Sequence, residues 1–199
     1  MNDLKIIPFE WKNHEDRDRA LRHLVAKYAH QPQTRMRALE ILRDCKTPER
    51  DPVAAASCLL KFVRSNYPYR MEAGEQIVLP NVLLDNPGIG GDCDDLSILL
   101  ASLLASMAWP VRLNYWRQPG GPIDHVSVGI EADGKWINLD PITDNPPGWK
   151  PSGYLEVAGK MVPVGGAAST GAVEVCKSSL IPFLIGSAIG AFIVCKVLK

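Results

Sequence analysis

The chain has 199 residues, with 22 Lys plus Arg against 22 Asp plus Glu and a formal net charge of zero. That balance lacks the basic excess a dedicated nucleic-acid binder uses, and the length allows one substantial core with a short appendage. The five cysteines (Cys45, Cys58, Cys93, Cys176, Cys195) show no CxxC pair and no disulfide-like spacing, and the four histidines (His14, His23, His30, His125) no metal-ligand motif. A reducing compartment or unpaired thiols are therefore expected, and a zinc site is not. The opening residues also lack the basic flank and long apolar stretch of a cleavable signal peptide.

In chain order, residues 1–12 carry Ile6, Ile7, Phe9 and Trp11 around Pro8 and read as an extended arm laid on the domain. An amphipathic helix is predicted over 15–30, with Leu21, Leu24, Val25 and Tyr28 inward, and a second over 32–45. Arg17, Arg19, Arg22, Arg35 and Arg37 alternate with acids on these helices, the pattern of a solvated face. A third helix follows Asp51-Pro52 and runs through residues 54–64, and the Pro- and Gly-rich residues 70–92 read as a loop.

That loop ends in Gly90-Gly91-Asp92-Cys93-Asp94-Asp95 and opens an apolar helix. Leu96, Leu99, Leu100, Leu103, Leu104 and Met107 form a helical stripe, while Ser97, Ala101, Ser102, Ala105 and Ser106 make a small-residue face. No charge occurs between Asp95 and Arg112, so this helix is expected to be enclosed. Asp92 is the predicted N-cap with Asp95 closing a capping box, and Trp109-Pro110 is the stop. Cys93 then lies in the first turn, where the helix dipole favours a thiolate and the neighbouring carboxylates oppose it.

After Pro110 the period changes to two. Strands are predicted at 111–116, 125–130 and 136–140, with Asp133-Gly134 as a two-residue hairpin turn. This turn puts Ser127 opposite Asp140 and makes His125 the diagonal neighbour of Asp140, about 7 Å away at the backbone. His125, Ser127, Gly129, Asn138 and Asp140 share one face, and Val126, Val128, Ile130, Ile137 and Leu139 the other. Ser127 and Gly129 leave room on the first face for a helix end. Cysteine as nucleophile, histidine as base and aspartate as orienter follow the triad logic.

These blocks resemble the transglutaminase-like superfamily of papain-related cysteine enzymes. The matching pieces are Leu60-Lys61-Phe62-Val63-Arg64-Ser65-Asn66-Tyr67-Pro68-Tyr69, Gly91-Asp92-Cys93-Asp94-Asp95, Asp124-His125-Val126 and Gly134-Lys135-Trp136-Ile137-Asn138-Leu139-Asp140-Pro141, within residues 53–143. The resemblance implies an α+β fold with a central helix against an antiparallel sheet, and Cys93, His125 and Asp140 as catalytic residues. It also implies an oxyanion donor besides the Cys93 backbone N–H, for which Asn81 and Asn86 are the guesses. Some relatives bind calcium, which the acidic residues 85–95 permit, although Leu96 stands where an EF-hand needs its bidentate glutamate.

Beyond Asp144 a small hairpin is predicted at 154–164 and a Gly-Ala-Ser linker at 165–174. Lys177 and Lys196 then bracket 18 uncharged residues, 178–195. As a helix these reach about 27 Å at ~1.5 Å per residue, close to a hydrocarbon core. Gly186 and Gly190 form a GxxxG pattern that permits helix–helix self-association.

The expected organisation is an N-terminal helical region (1–50), a catalytic domain (51–164), a linker (165–177) and a transmembrane helix (178–198), in a single-pass membrane protein whose orientation is open. The expected function is a membrane-anchored cysteine peptidase or amidase acting on a peptide or protein substrate. Acyl transfer from glutamine to an amine is the alternative chemistry, and an inactive membrane-tethered binding or structural module, such as a phage virion component, the alternative class.

Overall fold

The computed structural model describes residues 6–8, 11, 13–48, 50–71 and 76–163. After the N-terminal arm come three helices, α1 (His14–Ala29), α2 (Pro32–Asp44) and α3 (Pro52–Asn66). Each begins where local chemistry predicts. Asn13 caps α1 by accepting the Asp16 N–H, Asp51 caps α3, and proline occupies the first turn of α2 and α3. The central helix α5 (Cys93–Ser106) is buried at every residue from Asp94 to Ser106. It lies between α1, α2 and α3 and one face of an antiparallel sheet formed by β3 (Val111–Arg117), β4 (Ile123–Ala132), β5 (Lys135–Leu139) and β6 (Leu155–Met161), in the order β5-β4-β3-β6. The protein is thus α+β, built on a four-stranded antiparallel sheet.

The hairpin register is the one the Asp-Gly turn dictates. Asp133 (φ 52°) and Gly134 (φ 71°) both take positive φ, Ala132 pairs with Lys135 and Val128 with Leu139. The helix packs on the opposite face from the one expected, however. Val126, Val128 and Ile130 meet the leucines of α5, because a helix apolar on most sides gains most against the apolar face. The Ser127 and Gly129 face is closed by a polar network instead. Trp116 Nε1 donates to Ser127 Oγ (2.7 Å), Ser127 Oγ and Asn114 Nδ2 donate to Asn138 Oδ1 (2.7 and 2.8 Å), and Asn138 Nδ2 donates to Trp149 O (2.8 Å).

Other expectations are corrected by pairings between distant segments. Residues 70–92 contain a strand, β2 (Gln76–Val78), and a short helix, α4 (Pro80–Asp85). The strand pairs antiparallel with β1 (Ile6–Pro8), so the N-terminal arm is extended because it completes a two-stranded sheet. The hairpin predicted at 154–164 is a single strand, β6, which pairs with β3. Cys45 and Cys58 form a disulfide between the end of α2 and α3, which overturns the expectation of unpaired thiols for these two. The arginines of α1 and α2 are not all solvated: Arg17 pairs with Asp94, Arg22 with Asp18, and Arg35 Nη1 donates to Ser106 O at the end of α5 (2.7 Å). Arg19 and Arg37 pair with Asp16 and Glu40 within their own helices, as a surface pattern requires. Among the described residues no helix is long and apolar enough to cross a membrane; the predicted linker and transmembrane segment, with Gly186 and Gly190, lie outside them.

Candidate active site

The first turn of α5 is held from three sides. Asp92 Oδ1 accepts the N–H groups of Asp94 (2.9 Å) and Asp95 (3.3 Å), and Asp95 Oδ2 accepts the Asp92 N–H (3.1 Å), completing the capping box. The other oxygen of Asp95 accepts the Val78 N–H (2.7 Å), tying β2 to the helix start. The preceding glycines are demanded by close approach. A Cβ at Gly91 would stand 2.5 Å from Asp95 Oδ2, and one at Gly90 (φ +73°) 2.0 Å from Pro68 O. Gly91 forms a parallel bridge with Tyr69, with Gly91 N donating to Pro68 O (3.2 Å) and Arg70 N to Gly91 O (2.9 Å).

Cys93, His125 and Asp140 are placed by three separate elements. Cys93 heads α5, and the backbone N–H of Val126, the residue after His125, is placed to favour its thiolate. Ser97, one turn along, donates to Val126 O (3.1 Å) and fixes the helix to that point of β4. His125 Nε2 lies 2.8 Å from Asp140 Oδ2, which leaves Nδ1 as the other ring nitrogen. The second oxygen of Asp140 accepts the Ile142 N–H (3.1 Å), and Arg64 of α3 donates from Nε and Nη2 to Asp140 O (3.2 and 2.7 Å). Arg64 stands in the segment that carried the resemblance but received no role there; its reach to a backbone carbonyl has no local signature. Among the described residues no hydrogen bond joins the thiol to the imidazole.

The electrostatics oppose a resting thiolate. Burial first, then the carboxylates of Asp94 and Asp92, push the Cys93 thiol well above its ordinary range, while the Val126 N–H and Arg17 act the other way. Its Sγ lies 3.7 Å from Asp94 Oδ1, itself held by Arg17 Nη2 at 2.8 Å. Burial and then Asp94 also raise the Asp92 carboxyl to about 6. With the folded pKa above the unfolded one, ionising Asp92 costs stability between about pH 4 and pH 6, where the native state binds a proton the unfolded chain has lost. We therefore expect Asp92→Asn, which keeps an N-cap acceptor, to flatten that decline and stabilise the protein by about 1–2 kcal/mol at pH 7. It should also lower the thiol pKa. Urea melts across pH 4–8 and the pH dependence of Cys93 alkylation check both; an unchanged alkylation profile would show that Asp92 does not govern the thiol.

Asp92, Cys93 and Asp94 bring ligand atoms within 4.8 Å of one another. They do not fit a calcium ion, because Asp92 serves helix N–H groups and Asp94 is neutralised by Arg17. Among the described residues no hydrogen bond joins Asn81 or Asn86, the residues named for the oxyanion, to Cys93. Asn86 donates its amide to Val82 O (2.8 Å), and Asn81 lines a cavity with Gln31, Met36 and Leu84 that includes none of the three residues. Tyr69 is nearer: burial, then the charges of Cys93 and Asp92, raise its hydroxyl, and it is 47% exposed.

No protein-family model matches the sequence, and no curated protein matches it either. Among solved structures, the chain is similar to a candidate protease from Parabacteroides distasonis ATCC 8503, with a TM-score of 0.50 and 15% identity over 78% of this chain. The match takes in 34% of that protein, so the chain spans about a third of its length. At this identity the likeness concerns the fold alone.

Proposed function

We propose that the protein is a cysteine hydrolase of peptide or amide bonds, of the transglutaminase-like type, with Cys93 as nucleophile, His125 as base and Asp140 as orienter. The observation that carries this reading is the 2.8 Å His125–Asp140 contact, on the strand whose next residue, Val126, accepts a hydrogen bond from Ser97 of the helix that Cys93 heads. The thiol proton passes to Nδ1 of His125, the sulfur attacks the carbonyl carbon, and the imidazolium returns the proton to the departing amine. Water then hydrolyses the thioester, or an amine intercepts it and the outcome is acyl transfer. The Cys93 N–H and the Tyr69 hydroxyl are the donors proposed for the oxyanion. A second reading, an inactive binding module, is favoured by the raised thiol pKa and the Cys93–Asp94 contact.

Labelling separates the two. A peptidyl electrophile should modify Cys93 stoichiometrically, and His125→Ala should slow this at least tenfold, on the order of the loss of a general base. Labelling independent of His125 would leave the module. Products formed from a peptide library with an amine donor then distinguish hydrolysis from transfer. We also propose that residues 178–198 anchor the chain in a membrane, supported by the 18 uncharged residues between lysines. Release of the full-length chain from membranes by alkaline carbonate would overturn that.

A further inference from the structure

A cavity of about 490 Å³ opens beside the candidate site, lined by Trp11, His14, Arg17, Arg117, Ile123 and Val157 among others, none of them acidic. None of Cys93, His125 and Asp140 lines it, but two of its lining residues connect it to them. Arg17 grips Asp94, whose other contact is the Cys93 thiol, and Ile123 stands two residues before His125 on β4. The charges in it do not cancel. Arg17 is compensated by Asp94 (2.7 Å), whereas the Arg117 guanidinium has no hydrogen bond or ion pair among the described residues, and its Nε is buried without a partner. His14 Nδ1 is also buried and unpartnered; burial lowers the pKa of this ring, so it adds a polar atom but no charge. Of the nearby acids, Asp16 pairs with Arg19, Asp18 with Arg22 and the Tyr115 hydroxyl, and Asp124 accepts from the Tyr154 hydroxyl, while Glu15, exposed beside His14, acts on that ring and does not line the cavity.

Buried N–H groups without acceptors are uncommon, and each calls for an explanation. One uncompensated guanidinium, a neutral imidazole and an apolar wall of Trp11, Ile123 and Val157 describe a receptor for a single carboxylate on an apolar stem. We propose that this cavity is a substrate subsite that takes a carboxylate-bearing residue next to the scissile amide, its carboxylate on Arg117 and its stem on Trp11, Ile123 and Val157. The planar fork of arginine suits a carboxylate, and a lone positive charge suits a monoanion. The subsite rests on the hydrolase reading, since it selects substrate for Cys93. The carboxylate is either a glutamate side chain or a chain-terminal carboxyl group, which share this chemistry.

The test measures binding without turnover. The full-length Cys93→Ala protein is titrated calorimetrically with acetyl-Ala-Glu-amide, acetyl-Ala-Gln-amide and acetyl-Ala-Gln with a free carboxyl terminus. One of the two acidic peptides should bind about tenfold or more tighter than the neutral one, and which of them does so identifies the source of the carboxylate. Arg117→Gln should reduce that preference to about twofold or less, while Arg117→Lys should retain part of it, in proteins whose melting temperatures match the parent. Equal binding of all three peptides, no binding of any, or a preference that survives Arg117→Gln would overturn the subsite. Failure of the hydrolase reading shows separately, as Cys93 labelling that ignores His125.

Discussion

Cys93→Ala should leave a folded protein with turnover reduced at least about 10⁴-fold, and His125→Ala should be nearly as severe. Alanine removes a small side chain at the mouth of α5 and disturbs none of the capping box, which is built from Asp92, Asp95 and backbone N–H groups. Asp140→Asn should cost about 10²–10⁴-fold, because an amide in place of Oδ2 can present a donor to Nε2 and select the wrong tautomer. Loss of the Tyr69 hydroxyl in Tyr69→Phe should cost about 10²-fold in kcat if it holds the oxyanion. The losses should not add: Cys93→Ala with His125→Ala should be no slower than Cys93→Ala alone. Turnover of a cleaved library peptide measures all of these, and activity retained in Cys93→Ala would refute the assignment.

Arg17→Ala should destabilise the protein by about 3–5 kcal/mol, the cost of leaving a buried carboxylate without its partner. The Asp94 side chain is 3% exposed and that of Arg17 16%, so water cannot replace the guanidinium fully. For a domain of this size that is a fall in Tm of roughly 10 °C. Asp94→Asn added to Arg17→Ala should recover part of the loss, since a neutral amide carries a smaller desolvation penalty. Without Arg17 the thiol also loses one of the two influences that lower its pKa. Thermal melts of the single and double variants check this; a Tm within about 2 °C of the parent for Arg17→Ala would mean the pair is no more than a surface contact.

Interactions confined to a few residues explain what could be read without coordinates. The capping box joins Asp92 to Asp95 within one turn, and the leucine stripe of α5 repeats at the helical period, so both are written in neighbouring letters. The proximity of His125 and Asp140 is also local, despite spanning two strands. Asp133-Gly134 permits one tight turn, and from there the register carries one residue to the other.

Tertiary packing decided the rest. Arg17 and Arg19 sit in the same charged helix, yet one meets Asp94 across 77 positions and the other stays in solvent. Helical spacing says which residues share a face but not which face another element covers. The three-residue strands β1 and β2 are too short to show a period and exist because they pair. The disulfide, the docking of β6 on β3 and the cavity beneath Arg117 likewise depend on which distant surfaces meet. That choice is made by the summed burial of the whole core, a quantity no local window of residues contains.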